Sequence, residues 1–525
     1  MIYRISLSLL SVFLFRLSFP DGSAPLLAFV CLVPLGLALH GSNARWGLLL
    51  GMIYGFTGWL VTVWWISIGL VRWVNFSEPA AWFWMVVFCF VTALPYGLFG
   101  MLHGLFRWKS ESMLDAFRSS ICLTLLIVWF PHILPGSHVH ALYRFPLFTQ
   151  ILDLGGVPLL LFLLNLINWM LICLVLRIRK RQSVVPAIVT LVAILCIMTG
   201  YGTYRLGEFH RQMKGADSRQ IIRIASVQPN IEQLKKHAGV RREETVSLNK
   251  TLAELTKKAW DTYPGAELVV WPELPRSIPC DCGDANIQKV VNMVKRSGVS
   301  LIFSCISWEE EGRAGRYYNS AMMIDPAGTC GPVYRKRILL PFGEYLPLEK
   351  RFPFLRKIFP GVLKYLHGTE TVLFEITGTK RIIPTLCYEV VFPGLIREFA
   401  QAGGNVLLNL SDDIWFGDSD ASAIHLALGV YRSIEYRIPL VRVTNSGNGV
   451  FVQPTGEIVP GSRTPVSRQV VTSYPLFIPQ KRSLYYRIGD LFLWLLTIIW
   501  LIDAVVTAMH RRRLRDRKRD VLTSL

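Results

Sequence analysis

The run Ile382-Ile383-Pro384-Thr385-Leu386-Cys387-Tyr388-Glu389 is followed by Pro393, a helical stretch Gly394 to Gln401, and Asn405-Val406-Leu407-Leu408-Asn409-Leu410. It reads as strand, turn, helix and strand, the repeating unit of a layered α/β fold. The strand delivers a single thiol to a turn beside a helix start, where positive potential favours thiolate. Further β-branched strands are predicted at Ile221 to Val227, Glu267 to Trp271, Ser300 to Ser307, Ser320 to Ile324 and Leu440 to Asn445. Helical patterns fill Arg241 to Tyr263, Asp284 to Ser297 and Ala421 to Tyr436. Asn445-Ser446-Gly447-Asn448-Gly449 and Pro454-Thr455-Gly456 punctuate a hairpin.

This α/β region lies between apolar runs. The chain has 525 residues, 52% of them hydrophobic. Spans of about 20 residues are predicted near 3–19, 24–41, 46–70, 81–106, 120–136, 155–176, 184–206 and 488–510. The formal net charge of +20 does not point to nucleic acid, because cations gather after alternate spans: Arg45; Arg107, Lys109 and Arg118; Arg177, Arg179, Lys180 and Arg181; and the tail from Arg511 to Arg519. That is the positive-inside pattern. It places both termini in the cytoplasm and divides the chain into a membrane domain of about seven helices (1–206), an extramembrane domain on the opposite face (207–485), and a last span with a basic tail (486–525). The first span is read as an uncleaved helix, since Arg16 interrupts its core. Trp59, Trp64, Trp65, Trp73, Trp82 and Trp84 are expected to be interfacial anchors.

Cys31, Cys89, Cys122, Cys173 and Cys196 fall inside apolar runs and read as small hydrophobes. Among Cys280, Cys282, Cys305 and Cys330 some pairing is expected in an oxidising compartment, leaving Cys387 as the odd thiol. Cys280-Asp281-Cys282 lacks a matching half at zinc spacing, and His132, His138 and His140 have no carboxylate close in sequence. Neither a metal nor a cofactor is implied. Tyr345 to His367 interleaves Phe352, Phe354 and Phe359 with Lys350, Arg351, Arg356, Lys357 and Lys364, which suits either a membrane-contacting lid or a loop packed on its own domain.

Two more groups share the setting of Cys387 at the end of an apolar strand. Glu273 follows Leu268 to Trp271 between Pro272 and Pro275, and Lys336 precedes Ile338 to Leu340. Each alone is most simply a surface charge. Together they supply what a thiol attacking an acyl carbonyl needs: a base for its proton and a fixed cation for the oxyanion, aided by the Tyr388 amide.

Trp271-Pro272-Glu273, Tyr334-Arg335-Lys336 and Cys387-Tyr388-Glu389 resemble, in order, the three motifs of the nitrilase superfamily. Leu340 to Pro347, Asp413-Ile414-Trp415-Phe416-Gly417 and Val227-Gln228-Pro229-Asn230 are similar to signatures of its membrane-embedded branch, the apolipoprotein N-acyltransferases. The resemblance implies a nitrilase-like αββα sandwich beside a multi-span helical membrane domain in the bacterial inner membrane, with the sandwich on the periplasmic side. It implies Glu273 as base, Lys336 as oxyanion stabiliser and Cys387 as nucleophile, with Glu344, Tyr388 and Glu389 supporting the pocket. The implied partners are a phospholipid acyl donor and a diacylated apolipoprotein acceptor, handled in turn through a thioester by a monomer. Two positions depart from the family pattern, Asp412 where Asn is usual and His237 near an expected Trp. The residues leave open a membrane-tethered amidase using water as acceptor, or a non-catalytic assembly module. A transporter fits less well, because the spans carry few embedded charges.

Overall fold

The computed structural model describes residues 1–20, 22–231, 242–273, 278–309 and 317–523, without the side chains of 242–249 and 510–523. His237, Pro275 and the side chains of the basic tail lie outside that description.

The α/β region forms two mixed sheets. Its strands are β1 (Ile221–Gln228), β2 (Leu268–Val270), β3 (Ser300–Trp308), β4 (Tyr317–Ile324), β5 (Cys330–Arg335), β6 (Phe374–Thr377), β7 (Lys380–Leu386), β8 (Val406–Ser411), β9 (Leu440–Thr444), β10 (Val450–Val452) and β11 (Val470–Phe477). The six-stranded sheet has the order β11-β1-β2-β3-β4-β5 and the five-stranded sheet β10-β9-β8-β7-β6. Side-chain alternation along the strands sets the layers. Ile222, Ile224, Leu268, Val270 and Ile302 join a core with Ile382, Leu386 and Leu408 of the second sheet. Ala225, Val227, Val269, Leu301 and Phe303 instead pack on helices Arg242–Thr262 and Ala285–Ser297, through Leu252, Ala259, Ile287 and Val291. Helices Pro393–Gln401 and Ala421–Tyr436 cover the other side. This is an αββα sandwich. Cys280 pairs with Cys305 and Cys282 with Cys330, tying the segment before Ala285 to β3 and β5.

Among the described residues, five helices are long and apolar enough to cross a membrane: Ala44–Val63, Glu78–Phe106, Leu152–Arg179, Val185–Lys214 and Leu491–Met509. Ile2–Ser18 and Met113–Trp129 have 17 residues each, or about 26 Å at 1.5 Å per residue. The run expected at 24–41 is not one helix but a 3-10 turn, Pro25–Phe29, and a short helix, Val33–Leu39, because prolines stand at the start of each. Polar contacts show that these segments run alternately toward and away from the sandwich. Arg16 at the end of the first helix pairs with Asp420. His40 and Lys180 both approach Glu111 at the far ends of theirs. Helix Leu152–Arg179 shows both poles, since its Asp153 pairs with Arg437 of the sandwich. Arg118 pairs with Asp503 of the last helix.

Candidate active site

Three strand ends converge between the sheets. Trp271 continues the pairing of β2 by donating its N–H to Ile302 O at 2.9 Å, and its buried indole donates to Thr256 Oγ1 at 2.8 Å. That anchors the chain two residues before Glu273. Lys336 directly follows β5, still paired to β4 through Asn319 O at 2.8 Å, and its side chain is only 1% exposed. The charge run around it thus turns one of its three cations inward, while Arg337 pairs with Glu398 at the surface. Lys336 Nζ lies 2.9 Å from Glu344 and 3.7 Å from Glu273. Asn319 Nδ2 donates to both carboxylates, at 2.7 Å to Glu273 and 3.0 Å to Glu344.

Cys387 follows β7 with a backbone φ of +51°, a left-handed conformation that costs a non-glycine residue of order 1–3 kcal/mol. The Glu273 carboxylate and this thiol act on each other electrostatically. The expectation of a thiolate favoured by a helix start is not what the setting gives. Burial, then the neighbouring Glu273 charge, push the Cys387 thiol well above its ordinary value, so the resting group is a protonated thiol that needs a base. Burial also raises Glu273, and Lys336 opposes that shift. Burial works against the Lys336 ammonium, yet Glu344 and Glu273 outweigh it and hold it charged.

The supporting residues hold different parts. Glu344 also accepts Leu340 N–H at 2.8 Å. Glu389 is fully buried and accepts from Tyr334 Oη (2.7 Å), Arg337 N (2.6 Å), Ile338 N (3.1 Å) and Leu386 N (2.9 Å). Burial pushes its carboxyl up and Lys336 pulls it back, but all four partners are donors, which suits a carboxylate. It ties the residue after Lys336 to the residue before Cys387. The Tyr388 hydroxyl donates to Ile133 O, in the loop after a membrane helix. Asp412 accepts from Ile414 N–H and Asn445 Nδ2, both at 3.3 Å, and braces its own turn.

Sequence reasoning missed a polar hub beneath Cys387, built from Asn409, Asp413, His425 and Arg442. Asp413 appeared only as part of a motif, and Arg442 sits in the apolar strand β9. Asp413 is held far below the carboxylate range although burial works against it, because the Arg442 charge and hydrogen bonds from His425 and Ser422 outweigh it. The Cys387, Asp413 and His425 ligand atoms lie within 4.8 Å of one another. Arg442 already sits against Asp413 and His425, so this cluster is a salt-bridged strut with poor chemistry for a cation.

Cys387 opens into an apolar cavity of about 530 Å³. Val87, Phe88 and Val91, at mid-length in helix Glu78–Phe106, line it together with Leu340, Tyr388 and Phe416 of the sandwich. Trp65, Trp73 and Trp84 line it too, which corrects their reading as interfacial anchors; Trp64 and Trp82 do remain exposed. Trp65 packs on Phe416 at 4.8 Å and Trp73 on Trp415 at 4.3 Å. Gly69 permits this closeness, since a Cβ there would meet the Phe416 ring at 2.9 Å. The stretch Tyr345 to His367 divides: Phe359 is buried against Phe76, Trp84 and Phe342, whereas Phe352 and Phe354 are exposed.

Comparison with known proteins agrees with this architecture. Residues 223–473 match the Carbon-nitrogen hydrolase family and residues 11–170 match the Apolipoprotein N-acyltransferase N-terminal domain. The chain belongs to the apolipoprotein N-acyltransferases of the nitrilase superfamily. It is 28% identical to the Apolipoprotein N-acyltransferase of Geobacter metallireducens over 93% of this chain and 92% of the relative. With that of Rickettsia prowazekii it shares 26% identity over 86% of this chain and 88% of the other. Among solved structures, an amidase from Neterenkonia sp. AN1 is similar over 52% of this chain and 98% of its own, at 18% identity and a TM-score of 0.36. The chain is accordingly a bacterial membrane protein and an acyltransferase.

Proposed function

We propose that this enzyme moves an acyl chain from a phospholipid to the N-terminal α-amine of a diacylglyceryl-cysteine lipoprotein through a thioester on Cys387. Glu273 takes the thiol proton as sulfur attacks the ester carbonyl, and Lys336 with the Tyr388 amide holds the oxyanion. The ester C–O bond then breaks, and Glu273 returns the proton to the departing lysophospholipid oxygen. The α-amine attacks the thioester next, giving its proton to Glu273 while the C–S bond breaks and the thiol is restored. One pocket serves both halves, a ping-pong scheme. The scheme calls for no metal or cofactor.

The observation that carries this reading is the apolar cavity running from Cys387 to the flank of a membrane helix. Two acyl-bearing substrates can reach the thiol without leaving hydrocarbon, and the lining hinders water as a competing acceptor. The sandwich, residues 207–485, sits in the periplasm of the inner membrane with both termini cytoplasmic and 1–206 and 486–525 as its membrane parts, a reading supported by the gathering of cations after alternate apolar runs. The chain acts as a monomer. The test supplies phospholipid with a labelled acyl chain and a diacylated peptide. An acyl adduct on Cys387, lost in Cys387→Ala, followed by label on the peptide supports transfer. Release of free fatty acid without peptide labelling supports an amidase-like hydrolase, and an unmodified thiol under these conditions supports a non-catalytic role.

A further inference from the structure

The carbonyl of Cys387 receives two side-chain hydrogen bonds, from Asn409 Nδ2 at 3.0 Å and from His425 Nε2 at 3.1 Å. Both donors are set by one buried guanidinium. Arg442 Nη1 donates to Asn409 Oδ1 at 2.6 Å, which turns the amide nitrogen toward Cys387. Arg442 Nη2 faces His425 Nδ1 at 3.0 Å. A carbonyl only accepts, so His425 carries a hydrogen on Nε2. Asp413 also faces Nδ1, at 3.2 Å. Asp413 is in turn held by Arg442, Ser411 and Ser422. Burial and then Arg442 lower the proton affinity of His425.

We infer that His425 is a positioning residue of the acyl transfer, whose Nε2–H, oriented by Arg442, pins the Cys387 carbonyl and so keeps the thiol aimed at the Glu273–Lys336 pair. The left-handed backbone of Cys387 explains the need. A residue held in that conformation relaxes unless its surroundings over-determine it, and a flip of the Cys387 peptide would swing Sγ away from the base. Two donors on one carbonyl supply the restraint. His425 also lines the acyl cavity, but its bonded nitrogens face the backbone and Arg442, leaving proton transfer to Glu273.

The inference rests on Cys387 as nucleophile, and the test separates the two. Full-length enzyme and its His425→Gln, His425→Asn and His425→Ala variants are compared for acyl-adduct formation from phospholipid and for alkylation of Cys387 by iodoacetamide. Gln extends its amide nitrogen about as far as Nε2; Asn does not. The expected result is His425→Gln within about three-fold of wild type, with His425→Asn and His425→Ala slower by about ten-fold or more, the scale of misplacing a reacting atom. The alkylation pH profile keeps its midpoint in His425→Gln. Equal rates for Gln and Asn, an unimpaired Ala variant, or a shifted midpoint in His425→Gln would overturn the inference. Should His425→Ala fail to fold, the Gln and Asn comparison decides. Wild-type enzyme that never acylates Cys387 refutes the nucleophile, a different outcome from variants that acylate equally.

Discussion

Replacing Glu389 by Gln changes one heavy atom and tests whether this buried carboxylate aligns the site. One of its oxygens accepts three donors, Tyr334 Oη, Arg337 N and Ile338 N, and the other accepts Leu386 N. In its better orientation Gln keeps a carbonyl oxygen toward the first three and turns an amide NH₂ toward Leu386 N–H. The buried Leu386 N–H loses its charge-assisted bond and is left unmet, which costs roughly 2–4 kcal/mol. The damage falls at Leu386, one residue before the nucleophile. If most of it appears in the transition state, acyl-adduct formation slows by roughly 30- to 700-fold, at tenfold per 1.4 kcal/mol. The assay is single-turnover acylation of Cys387 by labelled phospholipid, with thermal melting in parallel. Wild-type melting together with wild-type acylation in Glu389→Gln would refute the alignment role.

The pH dependence follows from Glu273. Its carboxyl is raised by burial and must be ionised to act as base, so acylation falls as pH drops through a value above the ordinary carboxylate range. Asn319→Ala removes a hydrogen bond that favours the ionised form; the acidic limb should move further up, and a downward shift in the pH–rate profile would contradict the assignment. Filling the cavity tests the lipid route. Val91→Trp should slow acylation by a long-chain phospholipid about ten-fold more than acylation by a short soluble ester, and equal losses in a side-by-side rate assay would remove the cavity from the path. Asp153→Ala strips Arg437 and Arg205 of their shared carboxylate. Leaving a buried cation unpaired costs about 3–5 kcal/mol, which should appear as a lowered denaturation midpoint; an unchanged midpoint would show that the pair contributes little.

The strand-end motifs were legible because each chemical group terminates an apolar run, and a strand that enters a core must present its next residue at the sheet edge. Edge strands were harder. β5 contains Gly331 and Pro332, β6 has four residues and β11 carries Pro475, so each lacks the uninterrupted alternation that marks a strand. The hub under Cys387 was hidden for another reason. Arg442 is one polar residue in a buried strand, and its partners Asp413 and His425 are 29 and 17 residues away, separations that only the folded sheet order brings together. The cavity tryptophans were misread because membrane-interface aromatics and cavity-wall aromatics share one sequence pattern. Which face of the helix each occupies decides between them, and that depends on where the sandwich docks.

Docking does more than tether a soluble catalyst. On one side of the junction charged and hydroxyl groups fix the register: Asp153 with Arg437, Tyr431 Oη on Val139 O and Tyr388 Oη on Ile133 O. On the other side the two parts share the apolar cavity, so neither encloses it alone. The two sides meet at helix Ile66–Val74. Trp73 Nε1 donates to Gly343 O at 2.9 Å, and the next residue, Glu344, holds Lys336. A cavity-lining indole is thereby linked to the ammonium through one backbone carbonyl and one carboxylate. Both ends of this link sit against groups whose burial makes misplacement costly, so the wall that receives an acyl chain and the cation that faces its carbonyl are positioned by the same short stretch of chain.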